Sequence, residues 1–396
     1  MIRLPFICSF VLLFASPLQG QFLDDFRAGD LHRDPRGLHG WSYFTGDGNA
    51  TMDFRQGSGY ASIIVDATRD RQGIWWALIK HWVSPDMDLG LLRLPHRALR
   101  IEARIRVSDA PKRVNLHLNT QRTTDFHTHL MEFDIPDTVI WHTISMTTRG
   151  FDAVPGDTVY GQLALMDWGL GLYRVDLQYV KVDIVNADSV GPDQGEQVPY
   201  HPPIPDPSSF ALHVPVAADA MIDRKYPDIR LANWSSVEQG DTVRVLSSNA
   251  TQFSILRWNL RPYTGQKAAG AGLLELTTYS LQRSPDYKKD FGMVRLCEIL
   301  GGDPTWNQDS VTFASFVQGK ALDEAINSQM IIDVEVNSNR GGKTLFTVSR
   351  PVLQRLLDGK TSGLAIKPLG AVNAAFYAGQ GEGGTEGPLL HFTLAP

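Results

Sequence analysis

Cysteine is almost missing from this 396-residue chain, which has only Cys8 and Cys297. Cys8 falls in an N-terminal apolar run, so no intrachain disulfide is available to the rest of the protein. Cys297 sits in the alternating stretch 293–297 and reads as a buried strand thiol. Long apolar runs are missing as well. Residues 4–15 are too short to cross a bilayer, and no other run approaches ~18 residues, so a membrane-spanning helix is not expected. Nor is there an excess of one charge: 37 Lys and Arg stand against 43 Asp and Glu, a net charge of −6. That balance gives no general attraction for nucleic acid or an anionic membrane surface. The chain also lacks a phosphate-binding loop, a dinucleotide fingerprint, a zincin helix and a serine-nucleophile elbow, and the glycines of 379–384 come without the lysine that a phosphate loop needs.

What is present is apolar material, at 43% of residues, enough for real cores. Met1-Ile2-Arg3, the apolar stretch to Ala15 and the small residues up to Gly20 have the form of a secretory signal over residues 1–20, so the expected location is outside the cytoplasm. Proline is dense between Gly191 and Pro207, which favours an extended linker, placed at 188–210. The linker divides the mature chain into blocks 21–187 and 211–396, both of ordinary domain size. Period-two alternation at 62–65, 98–107, 114–119 and 173–185, and again at 254–260, 273–279 and 330–336, makes both blocks β. The expected fold class is all-β, two jelly-roll-like β-sandwich domains joined by the proline-rich linker. Helical signals are short, at 320–326 and 349–357. The latter has Ser349 as N-cap and Pro351 in its first turn.

The richest chemistry lies between Asn115 and Leu130. Strand periodicity places Asn115, His117, Asn119 and Gln121 on one face, with Leu116 and Leu118 on the other. A three-residue hairpin loop, Arg122-Thr123-Thr124, would set Asn119 opposite His127 and His117 opposite His129, gathering three imidazoles beside the amides. A register different by one residue would scatter them. Amides and imidazoles both donate and accept hydrogen bonds, so this face suits sugar hydroxyls or a carboxylate, with Trp168, or Trp75, Trp76 and Trp82, as stacking surfaces. The same residue types permit a second chemistry. A lyase of uronic-acid polymers needs a group that neutralises a carboxylate and a His or Tyr that moves a proton, which His117, His127, His129 and Tyr173 with Asn119, Gln121 and Arg122 could provide. Three histidines could also bind a metal, and a plain solvated sheet face is the fourth reading.

The second block resembles the DNRLRE-type β-sandwich modules attached to secreted polysaccharide-degrading enzymes, some of which bind alginate. The matching stretches are Ala218 to Asp223, Leu256-Arg257-Trp258-Asn259-Leu260, Ala271 to Leu276, Trp306 to Phe313, Gly363 to Pro368, Phe376-Tyr377-Ala378 and Gly387 to Phe392; the name-giving hexapeptide is absent. The first block resembles the galactose-binding-like jelly rolls used as carbohydrate-binding modules, through Phe22-Leu23-Asp24-Asp25-Phe26, Trp141 to Met146, Gly150-Phe151-Asp152, Leu163 to Trp168, and Tyr173 to Asp176 running into Val180 to Val182. Together these resemblances imply an extracellular polysaccharide as partner; the balanced charge and short apolar runs lead us to expect no nucleic-acid or membrane partner, and a monomer is expected. The expected ligand is an acidic, uronic-acid-containing, alginate-like polymer bound by Asn115, Asn119, Gln121, Arg122, Trp168 and Arg257, since guanidinium pairs bidentately with carboxylate. Polysaccharide lyase activity is the alternative. No cofactor is required by either reading; Asp25 near a first strand and Asp183 near a last one are a candidate pair for a structural Ca2+.

Overall fold

The computed structural model describes residues 20–27, 40–44, 50–69, 76–166, 170–199, 203–232, 235–238, 241–283, 292–327, 332–379 and 386–396. The signal-like residues 1–19 lie outside them, as does Trp168. Strands dominate, in agreement with the expected fold class, and they form two pairs of sheets.

In the first sandwich the strands are β1 (Gln21–Asp24), β2 (Ser42–Phe44), β3 (Thr51–Gln56), β4 (Ala61–Asp66), β5 (Trp76–Trp82) and β6 (Arg97–Val107). They continue with β7 (Lys112–Thr120), β8 (Leu130–Ile135), β9 (His142–Thr148), β10 (Val159–Met166), β11 (Leu172–Asn186) and β12 (Glu196–Val198). One sheet runs β3-β4-β11-β6-β9 with β1 on β11, and the other runs β12-β8-β7-β10-β5-β2. The pairs are antiparallel, and successive side chains of each strand point to opposite faces, one of them towards the core. Val114, Leu116 and Leu118 of β7 meet Ile101, Ile144 and Val182 from the facing sheet in one core. Burying each such side chain contributes about 1.5–3 kcal/mol.

The second sandwich has a seven-stranded sheet in the order Leu212–Pro215, Leu389–Phe392, Gly272–Arg283, Val372–Tyr377, Asp241–Ser248, Ser235–Glu238, with Lys343–Val348 also on Gly272–Arg283. It packs on a five-stranded sheet, Ala218–Asp223, Gln252–Arg257, Leu364–Gly370, Gly292–Glu298, Ile332–Val334. Cys297 is fully buried there, and burial pushes its thiol up to about 11, which makes it inert at neutral pH. The helix Arg350–Leu357 begins after Ser349 with Pro351 in its first turn, although the Ser349 hydroxyl makes no capping bond. Among the described residues no helix is long and apolar enough to cross a membrane.

The first half of the proline-rich segment is bound to the first sandwich rather than extended in solvent. Strand β12 pairs with β8, and Arg100 holds Gly191 O and the Asp193 carboxylate, both at 3.0 Å. Gly195 lies over Phe133 and Ile144 with φ +101°, where a Cβ would approach those side chains to 2.9 and 2.8 Å, so only glycine fits. Glu196 then meets Arg350 of the second sandwich at 2.7 Å. Limited proteolysis should therefore cut after residue 198 and leave 191–198 intact; first cuts inside 191–198, read by mass spectrometry, would contradict this docking.

Candidate functional site

Every residue of β7 is buried, including the polar ones that point away from the core. Asn115, His117 and Asn119 keep only 3%, 7% and 8% of their surface exposed, so the outer face of this sheet is walled and forms the floor of a cleft. Strand register fixes its rows. Asn119 lies beside Tyr160 of β10 and then Trp82 of β5; His117 lies beside Gln162 and then Lys80; Asn115 lies beside Ala164 and then Leu78. The cleft has a volume of about 630 Å3, with Phe44 and Phe126 at its sides.

Its polar groups form an organised floor. Gln162 Nε2 donates to Asn119 Oδ1, which orients both amides. Lys80 Nζ stands 5.1 Å from the centre of the Tyr160 ring. The His117 ring meets Phe126 edge to face at 5.9 Å, and its Nε2 has no partner among the described residues. Desolvation first, and then the nearby His129 and His127, push the His117 imidazole down to about 4, so it is neutral at pH 7 and can both donate and accept.

The expected three-imidazole face does not form. His117 pairs with Leu130, one residue from the expected register, and Leu118 N donates to His129 O at 3.1 Å. The turn is longer than three residues because Thr120 and Thr123 bond each other's backbone, and Asp125 accepts from His127 N. With that shift His129 points to the opposite face, where Nδ1 meets the Thr148 hydroxyl and the ring packs 4.9 Å from Phe151. Burial there lowers its pKa. His127 stays at the cleft mouth, with Nδ1 3.2 Å from Asp125.

Other expected site residues are used elsewhere. Gln121 and Arg122 fasten the end of β7 to the loop before β10: Arg122 Nη2 bonds Asp157 at 2.7 Å and the Asp152 carbonyl at 2.8 Å, and Gln121 Nε2 bonds Asp157 at 2.7 Å. The Arg122 guanidinium holds the Asp157 carboxyl far below the usual range. Tyr173 belongs to the facing sheet and lies in the core, its ring 4.2 Å from Lys112 Nζ. Arg257 lies in the second sandwich, 4.9 Å above the Trp306 ring and bonded to the Pro304 carbonyl.

The calcium pair fails for a reason of register. Asp183 faces Gln21 at the start of β1, whereas Asp25 follows the far end of that strand, about 13 Å along at strand rise. Asp25 meets Arg27 and Asp183 meets Lys181. Among the described residues no cluster of three or more His, Cys, Asp or Glu could hold a metal. Residues absent from the sequence reading are Tyr160, Gln162, Lys80, Phe44 and Phe126. Alternation in 160–164 gives the face of Tyr160 and Gln162, but only the sheet order shows which strands they adjoin.

No protein-family model matches the sequence, and no curated protein matches it significantly. Among solved structures, a "CBM4" module is 17% identical over 40% of this chain and 94% of its own, with TM-score 0.26. The CBM22-2 xylan-binding domain of Paenibacillus barcinonensis Xyn10C is 14% identical over 41% and 99%, with TM-score 0.28. The CBM22-1–CBM22-2 tandem of the same enzyme is 11% identical over 96% and 98%, with TM-score 0.27. Likeness at this level carries no functional argument, and the function has to come from the cleft itself.

Two consequences are measurable. Because the folded-state pKa of His117 is depressed, the unfolded chain binds its proton first, and stability should be lost as pH falls from about 6.5 towards 4. In denaturant titrations His117→Asn should remove about 3 kcal/mol of that loss; an unchanged pH slope would contradict the burial assigned to this ring. Arg122→Ala should lower the melting temperature of the first sandwich, because it frees the loop before β10 from the end of β7; an unchanged melting temperature would contradict that role.

Proposed function

We propose that the protein is secreted and binds a polysaccharide chain in the cleft of the first sandwich. The observation that carries this reading is the buried row of Asn115, His117, Asn119 and Gln162 set between apolar walls. Such side chains leave donors and acceptors for hydroxyl groups, and the faces of Tyr160 and Phe126 suit the apolar faces of pyranose rings. Trp82, half exposed beside Tyr160, extends the stacking surface at the rim.

The uronic-acid specificity expected from the resemblance would have to rest on Lys80 and His127 in this cleft, because Arg122 is bound to Asp152 and Asp157. A lyase would have to use His117 or His127 with Asn119 and Tyr160, since Tyr173 and His129 lie elsewhere. β-Elimination leaves an unsaturated product that absorbs in the near ultraviolet, whereas binding leaves the polymer intact. A flat absorbance trace with retained binding is the expected result, and a wild-type signal lost in His117→Ala would convert binding into catalysis.

Affinity electrophoresis over a panel of neutral and acidic polysaccharides tests the reading directly. Tyr160→Ala and Asn119→Ala should each weaken retardation by about tenfold, equivalent to about 1.4 kcal/mol. Arg257→Ala should leave it unchanged; loss of binding only in Arg257→Ala would move the site to the second sandwich.

A further inference from the structure

From the charges around the cleft we infer that its ligand is an uncharged stretch of glycan, not a polyuronate. This rests on the glycan-binding reading above and goes beyond it by choosing the substrate class.

The guanidinium groups near the cleft are already committed. Arg122 is turned to Asp152 and Asp157. Arg113, next along the β7 face after Asn115, makes a two-pronged pair with Asp134 at 2.9 and 3.1 Å and reaches Glu132 at 3.5 Å. Both carboxylates are buried, and Glu132 is the direct cross-strand neighbour of Asn115. Asp125 adds a further carboxylate at the mouth, beside His127.

Lys80 is the only Lys or Arg among the described residues that line the cleft. Its ammonium group lies over the Tyr160 ring, where the cation–π contact steadies that ring. A polyuronate brings a carboxylate on every sugar. With Lys80 as the one Lys or Arg among the described lining residues, most of those carboxylates would be desolvated without a cation, which is costly. Hydroxyl groups meet no such penalty, because the Asn115, Asn119 and Gln162 amides and the neutral His117 ring each offer donors and acceptors.

The test is a binding panel on the full mature chain with arabinoxylan, mixed-linkage β-glucan, glucomannan and β-1,3-glucan on one side and alginate and polygalacturonate on the other. Each is measured at about 20 mM and about 300 mM NaCl, because screening removes contacts that depend on exposed charge. The inference expects affinity for at least one neutral polymer, changing less than about twofold with salt and falling about tenfold in Tyr160→Ala and Asn119→Ala. Thermal melts of each variant separate lost binding from lost folding. Binding confined to alginate or polygalacturonate, weakened about tenfold by salt and by Lys80→Met, would overturn the neutral class while leaving glycan binding in place. No binding to any of the six would overturn both.

Discussion

The register between β7 and β8 is the constraint on which the site depends. With His117 opposite Leu130, the polar face of β7 looks into the cleft and Leu116 and Leu118 enter the core. Side chains alternate with period two, so a slip of one residue would exchange these faces, burying amides among the apolar core and exposing leucines. The core thus sets the register, and the register decides that one imidazole, not three, lies at the cleft floor. His129, moved to the other face, packs on Phe151 and contributes to the same core edge that holds β9.

The second determinant is how the positive charges are distributed. A sheet face rich in amides beside arginines reads in sequence as a site for acidic sugars. In three dimensions Arg122 ties a loop to the strand end, Arg113 neutralises carboxylates on β8, and Arg100 anchors the proline-rich segment. These guanidiniums hold the sandwich together around the cleft. Among the described lining residues, what is left is apolar wall, amide, the neutral His117 ring, His127 at the mouth and one lysine over an aromatic ring. That set matches hydroxyl-rich, weakly charged ligands better than it matches rows of carboxylates.

The all-β class, the two sandwiches and the polar face of β7 were legible because alternation is a local property. Asn115, His117 and Asn119 are on the face that their spacing dictates. The hairpin register was not legible, since it depends on hydroxyl and carboxylate bonds of Thr120, Thr123 and Asp125 within the turn. Neither was the neighbourhood of Tyr160 and Lys80, whose strands are joined to β7 by sheet order and not by sequence. The calcium pair failed for a similar reason, because proximity of Asp25 and Asp183 to strand termini said nothing about which ends of the strands meet. Proline density suggested a free linker, whereas Gly195 and β12 put the first part of that segment onto the sandwich.

The central claim joins one register to one binding face, and imidazole NMR separates the two histidines that the register places on opposite sides. The spectrum is followed while an oligosaccharide of a retarded polysaccharide is added. The account predicts that the His117 ring resonances shift with saturation of binding while those of His129 stay in place. Saturable binding with a fixed His117, or with His129 moving equally, would contradict it.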